Sequence, residues 1–113
     1  MSDLNYHKNL KEGRWFELSL AEQLGNIGSE VSRAGKWKEK DEQLFWKAVE
    51  RAFELFDLTL TDSRWKGRLG EVARAREVFC DVILGGKEYG TTFQNLQPYF
   101  DQFALAARTK TYS

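Results

Sequence analysis

Apolar residues recur at alternating intervals of three and four in four separate segments of this chain. The clearest stripe consists of Leu20, Leu24, Ile27, Val31 and Ala34. Comparable stripes start at Phe45, at Trp65 and at Leu96. Because this spacing places side chains on one face of an α-helix, each segment predicts an amphipathic helix. Four such helices with short connections predict an all-α fold, specifically an antiparallel four-helix bundle.

The length and composition predict one folded domain. The chain has 113 residues, of which 42% are hydrophobic and 30% are charged. These values are typical of a globular domain with one core, so we expect a single domain over residues 1–113. Residues 1–18 lack a regular pattern, and we expect them to form an irregular N-terminal arm packed on the bundle.

Local residue patterns predict where the helices begin and end. Ser19 with Glu22 forms a capping-box pattern, and Asp41 is a second expected N-cap. The third helix is expected to run from about residue 63 to 84, where the Gly85-Gly86 pair can adopt the left-handed conformation of a C-terminal cap. Glycines and a serine beside the first stripe predict close approach of another helix, with approach of a ligand as the alternative.

The start of the last helix allows two interpretations. Thr91 with Gln94 forms a second capping-box pattern. Pro98 follows four residues later, and proline is tolerated in a first turn but kinks a helix interior. Either the main helix starts near Asn95 or it bends at Pro98.

Arg76 lies within the apolar stripe of the third helix. Its spacing from Val72 and Phe79 predicts that it points toward the core. A buried guanidinium needs a partner, because arginine keeps its charge and an unpaired buried charge is costly. Glu30 and Asp57, at the borders of the first two helices, are the expected partners in a buried charge cluster. An anion or ligand site at Arg76 is the alternative.

The chain has no net charge, but its charges are unevenly distributed. It contains 17 basic and 17 acidic residues, so no global field attracts nucleic acid or an anionic membrane. Residues 64–77 are nevertheless locally basic. Four cations there, Arg64, Lys66, Arg68 and Arg74, could bind nucleic acid next to Trp65. They do not form one stripe, so ordinary solvated charges are the favoured interpretation.

Metal, cofactor and membrane functions have little support in the sequence. The only histidine, His7, lies in the arm, which argues against a Glu-x-x-His di-iron site. The lone Cys80 excludes an internal disulfide and is expected to behave as a small buried hydrophobe. We expect no metal and no cofactor, no membrane-spanning segment, and a cytoplasmic location.

Residues 77–84 suggest one enzymatic alternative. Glu77 and Asp81 are spaced as in the Glu-x-x-x-Asp helix, and this stretch resembles the MazG-like all-α nucleoside triphosphate pyrophosphatases. The resemblance implies that the two carboxylates hold magnesium on nucleotide phosphates. The family's Glu-x-x-Glu motif has no counterpart here, because Glu22 and Glu30 lie on different faces of the first helix. Periodicity also places Glu77 and Asp81 at the solvated side of the third helix.

Wider resemblances point to an interaction protein. Residues 15–18, 24–34, 53–59 and 76–81 resemble a group of short bacterial proteins that has no established activity. By size and helix number, the chain is similar to the four-helix accessory proteins of diversity-generating reverse transcriptases, which bind polymerase and nucleic acid. The chain is also rich in aromatic residues, with four Trp, eight Phe and four Tyr. We therefore expect a non-enzymatic binding module that self-associates or binds a protein partner through aromatic surface.

Overall fold

The computed structural model describes residues 13–111, with side chains up to residue 107. These residues are almost entirely helical and contain no strand, which confirms the all-α class. The elements are α1 (Leu20–Trp37), α2 (Glu42–Leu60), a 3₁₀ helix (Ser63–Arg68), α3 (Leu69–Ile83) and α4 (Phe93–Thr111). Most of the predicted arm, including His7, lies outside the described residues. None of the described helices combines the length and apolar character that crossing a bilayer requires.

The two predicted N-caps at the beginnings of α1 and α2 are confirmed. The Glu22 backbone N–H donates to Ser19 Oγ at 3.1 Å, and the Ser19 N–H donates to Glu22 Oε1 at 3.0 Å. Asp41 Oδ1 accepts the Leu44 backbone N–H at 3.0 Å. These side chains satisfy backbone donors that have no partner within the first helical turn.

The Gly85-Gly86 pair ends α3 as predicted. Both residues have positive φ, at 111° and 73°. The Gly86 N–H donates to the Asp81 carbonyl at 2.7 Å, and the Gly85 N–H donates to the Val82 carbonyl at 3.2 Å. This pair of hydrogen bonds is the Schellman motif, which satisfies carbonyls at a helix C-terminus.

The third helix begins at Leu69, about six residues later than predicted. Residues Ser63–Arg68 form a 3₁₀ helix in which Trp65 has non-helical angles, φ −100° and ψ 22°. Gly67 and Gly70 weaken α-helix formation here. Asp62 fixes the preceding turn, because its Oδ1 accepts the Arg64 N–H at 3.1 Å. Trp65 therefore does not continue the stripe of α3.

The N-cap of α4 is Thr92 and not Thr91. Thr92 Oγ1 accepts the Asn95 N–H at 3.1 Å, and its carbonyl accepts the Leu96 N–H at 2.9 Å. Pro98 lies inside the second turn of the continuous helix Phe93–Thr111. Proline leaves the Gln94 carbonyl without its usual donor, and both residues are exposed, so water can take that donor's place.

The helices pack around one continuous apolar core with α1 at its centre. α1 makes its most extensive contacts with α4 and α2, whereas α3 packs mainly on α2 and more lightly on α4. Phenylalanine rings fill the space between α2, α3 and α4: ring centroids lie 6.0 Å apart for Phe56 and Phe79, and 6.0 Å apart for Phe56 and Phe100. Many of the aromatic residues therefore serve the core.

Glycines bring α1 and α4 close together, as the sequence predicted. A Cβ atom placed on Gly25 would lie 3.1 Å from Ala104 Cα, and one placed on Gly28 would lie 2.4 Å from Phe100 Cβ. Further along α1, Gly35 faces Phe93. The partners on α4 come in reverse chain order, so the two helices run antiparallel.

Candidate functional site

Arg76 forms an exposed ion pair and not a buried one. Its Nε donates to Asp57 Oδ1 at 3.0 Å, and the two side chains are 37% and 59% exposed. The guanidinium also lies 4.8 Å from the centre of the Phe53 ring. The expected burial is wrong because α3 turns Val72 and Phe79 into the core and leaves Arg76 at the border of that face.

Glu30 does not join this pair, so the predicted cluster of three residues does not form. Glu30 is buried on α1, and both of its carboxylate oxygens accept from Arg33 Nη1, at 3.0 and 3.1 Å. The physical reason lies in the packing: α1 contacts α2 and α4 extensively, whereas α3 contacts mainly α2.

The Arg76–Asp57 pair should therefore contribute little stability. Arg76→Gln is expected to lower the free energy of unfolding by less than about 1 kcal/mol, because water solvates both exposed charges when the pair is lost. Denaturant titration measures the change. Arg68→Gln, which removes the similarly exposed pair with Glu71, is the matched control. A loss above about 3 kcal/mol for Arg76→Gln alone would contradict the exposed pairing.

The four basic residues predicted as a nucleic-acid surface have different surroundings. Arg64 is bound to Asp62, and Arg68 is paired with Glu71 at 3.0 Å. Arg74 lies over the ring of Tyr89, 5.2 Å from its centre. Lys66 is exposed. Two of these four cations are thus already paired with carboxylates.

Glu77 and Asp81, the two carboxylates of the predicted pyrophosphatase site, accept hydrogen bonds from the loop that follows α3. Asp81 is buried, which corrects its expected place on a solvated face. Its Oδ1 accepts the Glu88 N–H at 3.0 Å and its Oδ2 accepts the Tyr89 N–H at 2.9 Å. Glu77 accepts the Tyr89 hydroxyl at 3.2 Å. Among the residues that the structure describes, no group of three or more His, Cys, Asp or Glu side chains is arranged to hold a metal ion.

A buried polar network, which the sequence did not predict, links Trp15 to the helices through hydrogen bonds. Gln23 is fully buried on α1, and its Nε2 donates to the Trp15 carbonyl at 2.8 Å and to Asp62 Oδ2 at 3.1 Å. The Trp65 indole N–H donates to Gln23 Oε1 at 2.9 Å, and the Trp15 indole N–H donates to Thr59 Oγ1 at 3.0 Å. One amide thus joins the N-terminal segment, α1 and the 3₁₀ helix.

Arg64 completes this network at the surface. Its Nη2 donates to Asp62 Oδ2 at 2.6 Å and to the Leu18 carbonyl at 2.7 Å. The Arg64 hydrogen bonds are the main cause that lowers the pKa of Asp62 to about 2, against the opposing effect of burial. In the described part of the chain, every buried side-chain polar atom has a hydrogen-bond partner. This network therefore stabilises the fold and is not an open binding site.

An exposed apolar side chain lies close to the turn between α1 and α2. Trp46 is 45% exposed there and lines a shallow cavity of about 460 Å³ together with Phe45 and Ile83. Leu84, next to Ile83 in the chain, is 72% exposed. We call this surface the Trp46 patch. Its charged rim consists of Lys38, Glu39, Lys40, Asp41 and Glu42.

Comparison with known proteins adds no relative: no family model, no curated protein and no solved structure matches this chain. Function is therefore inferred from the geometry of the described residues alone.

Proposed function

We propose that this protein is a non-enzymatic interaction module that self-associates through the Trp46 patch. The observation that carries the proposal is the 45% exposure of Trp46 in a concave surface that Phe45 and Ile83 also line. Tryptophan is a frequent anchor of protein interfaces, because its ring buries a large area at little cost in side-chain entropy. A self-associating module needs such a surface outside its own core.

The proposal includes two finer statements. We infer that the four long helices form an antiparallel four-helix bundle, which the reverse pairing of α1 with α4 and the short turn between α1 and α2 support. We also propose a cytoplasmic location.

The charges around the patch favour a second copy of the chain as the occupant. The rim carries two lysines and three acidic residues around an apolar centre. In a two-fold symmetric dimer, the same surface meets itself, so each lysine of one copy can approach an acidic residue of the other. A surface with both signs of charge is thus complementary to its own copy.

Replacing Trp46 should weaken self-association strongly. Trp46→Ser removes one anchor from each copy, and an anchor of this kind contributes about 2 kcal/mol or more. Because the dimer loses both anchors, about 4 kcal/mol in all, we expect its dissociation constant to rise several hundred-fold. Sedimentation velocity over a range of protein concentrations measures it.

Phe16→Ser is the matched control, because Phe16 is an exposed aromatic residue that lies before the opposite end of α1. This variant should associate like the wild type. A wild-type protein that stays monomeric at several hundred micromolar would contradict the proposal, as would a Trp46→Ser variant with unchanged association.

The two alternative functions that the sequence suggested, nucleic-acid binding and pyrophosphatase activity, remain predictions. Nucleic-acid binding through Arg64, Lys66, Arg68 and Arg74 predicts a mobility shift at low salt that disappears steeply as salt is added. Pyrophosphatase activity at Glu77 and Asp81 predicts magnesium-dependent release of pyrophosphate from nucleoside triphosphates.

A further inference from the structure

A second concave surface lies in the groove between α1 and α2. This open groove has a volume of about 210 Å³ and is separate from the polar network around Gln23. From α1 it is lined by Glu30, Arg33 and Trp37, and from α2 by Leu44, Lys47 and Arg51. Trp37 is half-buried and Leu44 is exposed, so the groove has an apolar end beside a charged one.

The charges in this groove do not balance. Three cations and one carboxylate line it, although the whole chain is neutral. Arg33 already neutralises Glu30, because both carboxylate oxygens accept from its Nη1. Lys47 and Arg51 form no ion pair with any described residue. They lie one helical turn apart, where like charges repel each other.

We propose that this groove binds a small phosphate monoester. The phosphate lies between Lys47 and Arg51, and the organic group of the ester packs against Trp37 and Leu44. An anion at this position relieves the repulsion between the two cations.

The size and chemistry of the groove favour this class of ligand. The volume is below the range of about 300–1,000 Å³ that is typical of sites for drug-sized ligands, so it suits a phosphate with one compact group. A guanidinium can bind phosphate oxygens through two parallel hydrogen bonds, and a lysine adds a point charge. The half-buried indole of Trp37 offers apolar surface for the organic group beside Lys36, whose Nζ lies over the ring, 5.0 Å from its centre.

NMR titration of backbone amides in the full chain tests the proposal. The probes are inorganic phosphate, phenyl phosphate, adenosine monophosphate and acetate. We expect saturable shifts of amides around residues 33–37 and 44–51, with tighter binding of the esters than of inorganic phosphate. Comparing phenyl phosphate with adenosine monophosphate distinguishes an aryl phosphate from a nucleotide as the source of the ligand.

The double variant Lys47→Gln with Arg51→Gln should weaken ester binding at least 10-fold. Both residues are exposed, and circular dichroism verifies that the variant folds. Arg14→Gln with Lys87→Gln removes two exposed cations outside the groove, and this matched control should leave binding unchanged. Equal affinity in the two double variants would overturn the proposal. So would acetate binding as tightly as the esters, or the absence of saturable shifts. None of these changes touches Trp46, so the outcome is independent of self-association.

Discussion

Gly28→Ala is expected to lower the free energy of unfolding by about 2 kcal/mol. The new Cβ would lie 2.4 Å from Phe100 Cβ, an atom fixed to the backbone of α4 that cannot move away without the helix. Overpacking of this kind costs up to about 3 kcal/mol, and the higher helix propensity of alanine returns about 1 kcal/mol. Thermal and denaturant unfolding should both show the loss, with a melting temperature about 10 °C lower.

The same substitution at Gly70 should have the opposite effect on the free energy of unfolding. Gly70 lies in the first turn of α3, and a Cβ placed there would meet no atom within 4 Å. Only helix propensity acts, so Gly70→Ala should raise the free energy of unfolding by up to about 1 kcal/mol. If Gly28→Ala were as stable as Gly70→Ala, α1 and α4 could not pack as closely as the structure shows.

Asp62→Ala is expected to lower the free energy of unfolding by about 2 to 3 kcal/mol. The substitution removes a buried carboxylate that accepts from Gln23 and Arg64, and hydrogen bonds to charged groups contribute about 1.5 to 3 kcal/mol. Denaturant titration at neutral pH measures the loss. Asp57→Ala, which removes an exposed carboxylate from its pair with Arg76, is the matched control and should cost less than about 1 kcal/mol.

Asp62 should also make stability depend on pH in the acid range. Its pKa is about 2 in the folded state, below the ordinary value of 3.8, so the folded state favours the ionised form. The stabilisation is therefore complete above about pH 4 and is lost as the pH falls toward about 2. We expect a loss of about 1 to 2 kcal/mol over this interval, allowing for the partly exposed Arg64. The Asp62→Asn variant should not lose this part of its stability in acid. If its free energy of unfolding fell with pH as much as that of the wild type, Asp62 could not be the paired carboxylate that the structure shows.

Helix ends that depend on neighbouring residues were predictable from the sequence. Ser19 and Asp41 cap α1 and α2, and Gly85 ends α3, because each of these residues satisfies backbone groups a few positions away. The start of α3 was not predictable in the same way. There the hydrogen bonds of Trp65 and Arg64 to distant parts of the chain stabilise a 3₁₀ helix instead.

The internal polar network was only partly predictable. Gln23 lies three residues after Leu20 and four before Ile27, so its burial follows from the helical period. Its partners do not, because Trp15 and Asp62 approach it only in the folded chain. The two buried or half-buried indoles were a usable signal, since a Trp N–H away from water needs an acceptor.

Arg76 shows where helical periodicity is insufficient. A stripe through Val72 and Phe79 places Arg76 in the core, but the residue of α3 that is buried between them is Ala75. The exposed guanidinium then reaches Asp57 on the neighbouring helix and leaves Glu30 to Arg33. Similarly, composition alone could not separate the rings that fill the core from the exposed Trp46.

Charge-reversed variants of the Trp46 patch test self-association most directly. The first variant combines Lys38→Glu with Lys40→Glu, and the second combines Glu39→Lys with Glu42→Lys. In each variant the rim carries mainly one sign of charge, so two copies of the same variant repel each other. Each variant on its own should therefore be monomeric in sedimentation velocity. Mixed in equal amounts, they should form a heterodimer with an affinity close to that of the wild type. Dimers of either variant alone, or a mixture that stays monomeric where the wild type dimerises, would contradict this account.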